Sequence, residues 1–267
     1  MNRKTVFFDL DGTLLGTRNG LPFQIPRDSL DAIGALRRNG HLAVACTGRP
    51  EKFVRHFFPG VFDGFVVSNG ARVVAGGETV RDWFLPENRV RALTKRFDSF
   101  GCRYFWVGSE HAWGRGMQDV PEEILGRMRR AYFFPDFIVP SWEPGDVAAN
   151  AMDFIFRNEA EFEAQRGAFT EEGMVLSRHP GSPSADLSLA ENDKAAGIRC
   201  FLAKTGIAKE DTAAFGDGWN DIAMMKAAGS GVAMGNASDE VKRAADFVTA
   251  DMFGGGIALG LRRLGLI

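Results

Sequence analysis

The chain has 267 residues, of which 45% are hydrophobic and 25% are charged, and a formal net charge of −2 at pH 7. These values are ordinary for a globular protein and allow one large domain or two modest ones. The nearly balanced charge provides no basic field and argues against nucleic acid as a partner.

The start of the chain leads directly into an apolar run, without a targeting segment before it. No apolar run approaches the length needed to span a membrane, so we expect a cytoplasmic protein with no membrane partner. The three cysteines form no CxxC pair, which argues against a disulfide framework.

Short apolar runs alternate with helical patterns in the first and last parts of the chain. The predicted strands are Val6–Leu10, Leu42–Cys46, Phe65–Val67, Thr212–Phe215, Gly231–Met234 and Phe247–Thr249. The predicted helices are Arg27–Asn39, Glu51–Phe58, Lys194–Lys204, Asp221–Ala228 and Ser238–Ala245. This alternation predicts an α/β fold with a Rossmann-like, doubly wound parallel-sheet core.

The middle of the chain has a different pattern. Aromatic clusters such as Tyr104-Phe105-Trp106 are concentrated there, and predicted strands such as Arg103–Val107 and Met152–Phe156 alternate with a longer helix, Glu159–Phe169. We therefore predict that residues 86–185 form an α+β domain inserted into a core made of residues 1–85 and 186–267.

Two aspartates one residue apart lie at the carboxyl end of the first predicted strand. Since residues two apart in a strand point the same way, Asp9 and Asp11 should emerge together at its carboxyl end. Neighbouring carboxylates repel each other unless a cation lies between them. A surface turn containing Asp-Gly is the alternative interpretation.

Three further polar segments lie at a predicted strand end or helix start. Thr47-Gly48-Arg49 follows a strand and offers a hydroxyl and backbone N–H groups to phosphoryl oxygens. Lys194 begins a helix, and Gly216–Asp221 follows another strand with side chains that suit Mg²⁺. Each segment alone also fits a turn or a solvated charge, but together they predict a phosphate-handling site at the carboxyl ends of the strands.

In this order, the four segments resemble the four motifs of the haloacid dehalogenase-like phosphohydrolases. The chain is similar to the Cof-like branch, which inserts a large C2-type cap between the second and third motifs. Ser68-Asn69-Gly70-Ala71 resembles the segment that these proteins carry before the cap. One departure is that Asp193 and Ala195 flank Lys194, where the family often has Ser or Thr before the lysine and Gly after it.

The resemblance implies a phosphatase that hydrolyses small phosphorylated metabolites through an aspartyl-phosphate. Asp9 would be the nucleophile, Asp11 the general acid and base, and Lys194 would neutralise charge. The implied phosphate-binding residues are Thr47, Gly48, Arg49, Asn69 and Asn220. The implied Mg²⁺ ligands are Asp9, the backbone carbonyl of Asp11, Asp217 and Asp221, the last through water.

The same resemblance implies a substrate class and a role for the inserted domain. Sugar phosphates are expected first, with FMN or pyridoxal phosphate next. The cap would act as a lid with hinges near Leu85-Pro86 and Ala185-Asp186. Its candidate substrate contacts are Trp113, Arg115 and Arg178.

Two alternatives stay open. A phosphosugar mutase uses the same four motifs, and a non-catalytic protein could bind a phosphorylated ligand on this scaffold. The second alternative is disfavoured because proteins of that kind usually lose a key carboxylate.

Overall fold

The computed structural model describes residues 3–120, 138–139, 141–171, 173–178, 183–189 and 192–267. The chain divides into two compact units. The first comprises the chain up to Arg49, Val54–Asp82 and Asp193–Ile267, and the second comprises Pro50–Phe53 and Trp83–Asn192.

The regular elements are numbered in chain order. The strands are β1 (Thr5–Phe8), β2 (Gly16–Arg18), β3 (Leu21–Gln24), β4 (Leu42–Cys46), β5 (Gly64–Val67), β6 (Arg72–Ala75), β7 (Glu78–Asp82), β8 (Arg103–Val107), β9 (Ala112–Arg115), β10 (Ile138–Val139), β11 (Ala151–Ile155), β12 (Met174–Arg178), β13 (Ser184–Leu189), β14 (Thr212–Gly216), β15 (Ser230–Ala233) and β16 (Phe247–Val248). The helices are α1 (Arg27–Arg38), α2 (Glu51–Phe57), α3 (Glu87–Ser99), α4 (Glu159–Gln165), α5 (Lys194–Thr205), α6 (Asp221–Ala227), α7 (Asp239–Ala244) and α8 (Gly256–Arg263). Within the described residues, no helix combines the length and the apolar character that crossing a membrane requires.

The first unit is built on an eight-stranded sheet in the order β16-β15-β14-β1-β4-β5-β6-β7. Neighbours from β16 to β5 are parallel, whereas β6 and β7 add to the edge in antiparallel fashion. The predicted α/β fold is confirmed, with a mixed rather than purely parallel sheet. The parallel pairing brings the carboxyl ends of β14, β1, β4 and β5 to one edge.

Helices cover both faces of this sheet. On one face, the Phe7 ring packs edge-on against Phe201 of α5 at a centroid distance of 5.5 Å. On the other face, Phe8 stacks on Phe215 at 5.4 Å, and Gly260 of α8 lies directly against the Phe215 ring. The central strands are therefore buried on both sides, which explains why they appear as continuous apolar runs in the sequence.

The second unit contains a six-stranded sheet in the order β10-β9-β8-β11-β13-β12, which is antiparallel except between β9 and β10. Tyr104, Trp106 and Phe154 from one face of this sheet pack with Phe97 of α3. The unit extends to Asn192, whereas the predicted domain ends at residue 185, inside β13. The difference arises because β13 alternates buried and partly exposed residues and contains polar side chains, so it lacks a continuous apolar signal.

Candidate active site

Asp9 lies immediately after β1, at the edge where the parallel strands end. Its backbone N–H donates to the carbonyl oxygen of Phe215 at 2.9 Å, which extends the pairing of β1 with β14 by one residue. The following loop lies against Asp217, because a Cβ added at Gly12 would be 2.0 Å from the Asp217 carboxylate. Gly12 also has a φ of +88°, so this close approach requires glycine.

Lys194 connects two buried carboxylates. Its Nζ lies 2.6 Å from Oδ1 of Asp9 and 2.6 Å from Oδ1 of Asp221. The exposed fraction of the side chain is 1% for Lys194 and 0% for Asp221. A fully buried ammonium is tolerated only when it is paired in this way.

The position of Lys194 follows from the start of α5. Asp193 is the N-cap of this helix, and its Oδ1 accepts a hydrogen bond from the backbone N–H of Ala196 at 2.6 Å. Ser, Thr and Asp are all favourable N-caps. The departure at this position from the family pattern therefore keeps the same local function.

Asp221 uses both of its carboxylate oxygens within the protein. Oδ1 accepts from Lys194, and Oδ2 accepts from the backbone N–H groups of Asp217 and Gly218 at 3.0 and 2.9 Å. These bonds close the turn between β14 and α6. The turn therefore holds the backbone of Asp217 in place.

The carboxylates of Asp9, Asp217 and Asp221 form a compact acidic group, in which one ligand atom from each lies within 4.8 Å of the others. Burial and then the Asp221 charge raise the pKa of Asp9 well above its usual value. The same two causes raise the pKa of Asp217 to about 7. Lys194 pairs with two of these three carboxylates, and oxygen ligands crowded in this way suit a hard cation such as Mg²⁺.

Burial and the neighbouring charges act in opposite directions on the pKa of Lys194. Burial acts to lower the pKa of Lys194, but the charges of Asp221 and Asp9 outweigh it, so the pKa rises above its usual value. The ion pairs with Asp9 and Asp221 therefore favour the protonated form of Lys194.

The loop after β4 carries Thr47, Gly48 and Arg49. The Thr47 side chain is buried, and its Oγ1 accepts a hydrogen bond from the backbone N–H of Arg49 at 3.1 Å. The Arg49 guanidinium forms a bidentate ion pair with Asp11, with two N–O distances of 2.8 Å. In this structure Arg49 therefore lies against another residue predicted for the site.

Asn69 and Asn220 also meet at this edge of the sheet. Nδ2 of Asn220 donates to Oδ1 of Asn69 across 3.4 Å, and the Asn69 amide lies over Gly48. The fold thus brings together all the residues predicted for the site, which are Asp9, Asp11, Thr47, Gly48, Arg49, Asn69, Lys194, Asp217, Asn220 and Asp221.

The three candidates in the second unit make contacts within that unit. Trp113 is buried in its core, and the Arg115 guanidinium lies 4.5 Å from the ring centroid of Trp142. Arg178 pairs with Glu159 at 2.8 Å and lies over the Phe162 ring. These contacts account for all three side chains without a substrate.

Two residues of the site have no role assigned in the sequence analysis. Oγ1 of Thr13 donates to Oδ1 of Asp217 at 2.9 Å. Nδ2 of Asn236 donates to the Gly12 carbonyl at 2.8 Å, and its Oδ1 accepts from the Met252 N–H at 3.0 Å. Asn236 follows β15, so the rule that ligands bind at strand carboxyl ends offers a signal that could have identified it.

Comparisons with known proteins agree with this geometry. A family model for haloacid dehalogenase-like hydrolases matches residues 6–261. The chain is 30% identical over 268 residues to the putative phosphatase YkrA of Bacillus subtilis, with 100% of both chains covered. It is 42% identical over 281 residues to the pyridoxal phosphate phosphatase YbhA of Escherichia coli, with 94% of each chain covered. The structure of the HAD subclass IIB sugar phosphatase BT4131 superposes with a TM-score of 0.78 at 27% identity, covering 99% of this chain and 100% of the other.

Proposed function

We propose that this chain, which belongs to the haloacid dehalogenase-like hydrolases and is a phosphatase, hydrolyses small phosphorylated metabolites with Mg²⁺ through an aspartyl-phosphate on Asp9. One observation carries this proposal. Asp9 is buried at a strand end with one oxygen held by Lys194 and with Asp217 beside it. A carboxylate oriented in this way can act as a nucleophile towards phosphorus.

The donor set fits Mg²⁺, because the crowded carboxylates supply oxygen ligands and excess negative charge. We propose Asp9, Asp217 and the backbone carbonyl of Asp11 as direct ligands. The engaged oxygens of Asp221 favour contact through water. When bound, Mg²⁺ would offset the repulsion between these carboxylates and an anionic phosphate.

In the first step, a carboxylate oxygen of Asp9 forms a bond to phosphorus while the bond from phosphorus to the ester oxygen breaks. Asp11 gives its proton to the departing oxygen. Lys194 keeps its proton and stabilises the negative charge that passes through Asp9. Thr47, Gly48, Arg49 and Asn220 are proposed to surround the phosphoryl oxygens.

In the second step, water attacks the phosphorus atom of the aspartyl-phosphate. Asp11 accepts a proton from that water, and the bond between phosphorus and the Asp9 oxygen breaks to release inorganic phosphate. Both steps use Asp11 on the side of phosphorus opposite the Asp9 oxygen. One residue thus serves as acid and then as base.

Sugar phosphates are the first substrate class that we propose, followed by pyridoxal phosphate and FMN. The solved structure of a sugar phosphatase and the curated pyridoxal phosphate phosphatase, each matched over nearly the whole chain, support these two classes. We propose that the second unit selects among them as a cap and that the residues of the first unit bind the phosphoryl group. A cytoplasmic location is part of the same proposal.

The test is release of inorganic phosphate from a panel of sugar phosphates, pyridoxal phosphate and FMN, with Mg²⁺ or with EDTA. We expect turnover with Mg²⁺ only, and none from Asp9→Asn. Asp31→Asn, which changes an exposed aspartate paired with Arg27, is the matched control and should keep full activity. Equal turnover by Asp9→Asn and wild type would contradict the proposed nucleophile.

A further inference from the structure

The turn after β5 has an unusual backbone. Ser68, Asn69 and Gly70 are consecutive residues with φ values of 50°, 52° and 88°. Glycine adopts this left-handed region freely and Asn does so more often than most residues, but Ser rarely does. Such strain persists only where the surroundings hold it, and it is concentrated at functional sites.

One side of this turn holds the loop after β4. The N–H of Ser68 donates to the carbonyl of Arg49 at 3.1 Å, and the N–H of Asn69 donates to the carbonyl of Thr47 at 3.0 Å. The Asn69 side chain folds over the same loop, because a Cβ added at Gly48 would lie 3.3 Å from its Nδ2. The backbone and the side chain of Asn69 therefore both contact the Thr47–Arg49 loop.

The other side of the turn faces two further segments of the site. Oδ1 of Asn69 accepts from Nδ2 of Asn220, the residue that precedes α6, across 3.4 Å. A Cβ added at Gly70 would lie 2.2 Å from the carbonyl oxygen of Asp193, the N-cap of α5. This single turn therefore contacts the segments that carry Thr47, Lys194 and Asn220.

We propose that Asn69 is a positioning residue, which fixes the Thr47–Arg49 loop relative to Asn220 through its side-chain amide. The left-handed backbone is what aims the amide between the two segments. Asn69 thus acts through Gly48 and Asn220. The kinetic part of this proposal rests on the proposed phosphatase function, whereas its structural part does not.

The test compares Asn69→Gly with Asn19→Gly in the full chain. Glycine adopts the left-handed backbone without strain, so Asn69→Gly removes the amide and should keep or raise the melting temperature. Asn19 has a φ of 53° and lies exposed in the turn between β2 and β3, so it provides the same substitution away from the site. Any difference between the two variants reports the amide rather than the backbone.

Three outcomes are expected from Asn69→Gly and not from Asn19→Gly. Backbone hydrogen exchange should become faster in both the Thr47–Arg49 and Gly218–Asp221 segments. The kcat should fall by about tenfold with a smaller change in KM, because the loops are misplaced in the transition state. The double variant Asn69→Gly/Asn220→Ala should have a kcat only a little lower than that of Asn220→Ala alone, because Asn69 acts through Asn220.

Two results would overturn the proposal. Unchanged exchange in both segments would show that the amide positions neither, and this readout needs no substrate. If the loss of kcat in the double variant equals the product of the losses in the two single variants, Asn69 acts independently of Asn220, as a direct phosphate contact would. If the wild type releases no phosphate from any ester, the proposed function fails, and the exchange data still decide the positioning role.

Discussion

Arg49 and Asp11 form a bidentate ion pair in this structure. Nε of Arg49 lies 2.8 Å from Oδ2 of Asp11, and Nη2 lies 2.8 Å from Oδ1. A guanidinium engaged in this way cannot direct the same N–H groups at phosphoryl oxygens. Both oxygens of Asp11 accept from Arg49, so the acid and base role proposed for Asp11 requires that substrate binding opens this ion pair.

We predict that Arg49→Lys raises KM by about tenfold and changes kcat less, because lysine is a point charge that cannot reproduce a bidentate contact. The melting temperature should change little, since both side chains are partly exposed and such pairs stabilise weakly. Steady-state kinetics and thermal unfolding measure these effects. Arg27→Lys, in an exposed pair with Asp31, is the control. An unchanged KM would show that Arg49 does not hold the phosphoryl group.

Lys194→Met tests the buried centre of the site. Methionine leaves Asp9 and Asp221 buried without their shared cation, which costs on the order of 3–5 kcal/mol in the free energy of unfolding. We expect this loss to be smaller at pH 5 than at pH 8, because protonation of Asp9 relieves the repulsion. Denaturant unfolding at both pH values is the measurement.

The control for this variant is Lys204→Met. Lys204 pairs with Glu78 at 2.6 Å, but both side chains are largely exposed. Its removal should change the free energy of unfolding far less than the removal of Lys194 does. Similar losses from both lysine variants would contradict the importance of burial.

The strands that carry the site could be predicted because they are buried on both faces. Leu42–Cys46 has the same bounds in the sequence analysis and in the structure. The first strand is predicted as Val6–Leu10 and observed as Thr5–Phe8, so it starts one residue earlier and ends two residues earlier. Elements with partly polar faces gave weaker signals. Neither α3 nor β13 was predicted, since only four of the residues of α3 are buried and β13 alternates.

The sequence predicts which residues gather at the site better than it predicts which of their atoms are in contact. Thr13 and Asp217 are 204 residues apart in the chain, and no local pattern indicates their hydrogen bond. The pairing of Arg49 with Asp11 likewise depends on how the loops after β1 and β4 meet. Motif order identifies which residues gather at the strand ends, whereas long-range packing decides which atoms touch.

The pH dependence of metal binding follows from Asp217. Its pKa in the metal-free protein is raised from 3.8 to about 7, so between these values the folded state holds more protons than the unfolded state. Stability from this site is therefore present at low pH and is lost as the pH rises through about 7. A bound cation replaces the proton and restores that stability.

We accordingly predict that the rise in melting temperature on adding Mg²⁺ grows between pH 5 and pH 8. Thermal unfolding with Mg²⁺ and with EDTA across this range is the measurement. Asp217→Asn removes the titrating ligand and should abolish most of the Mg²⁺ effect at every pH. A Mg²⁺ effect that is independent of pH would show that protons and metal do not compete at this site.

Thr13→Val tests the hydrogen bond that orients Asp217. Valine nearly matches threonine in shape, so the buried packing is kept while the donor to Oδ1 of Asp217 is lost. Because this bond acts to lower the pKa of Asp217, its loss should raise that pKa further and move the onset of Mg²⁺ stabilisation to higher pH. We expect the Mg²⁺ affinity at pH 7 to fall by about tenfold, as measured by calorimetric titration.

Thr5→Val is the matched control, since the Thr5 hydroxyl is buried in β1 with no hydrogen-bond partner among the described residues. Equal affinities for both variants would show that the Thr13 hydroxyl contributes nothing to the metal site.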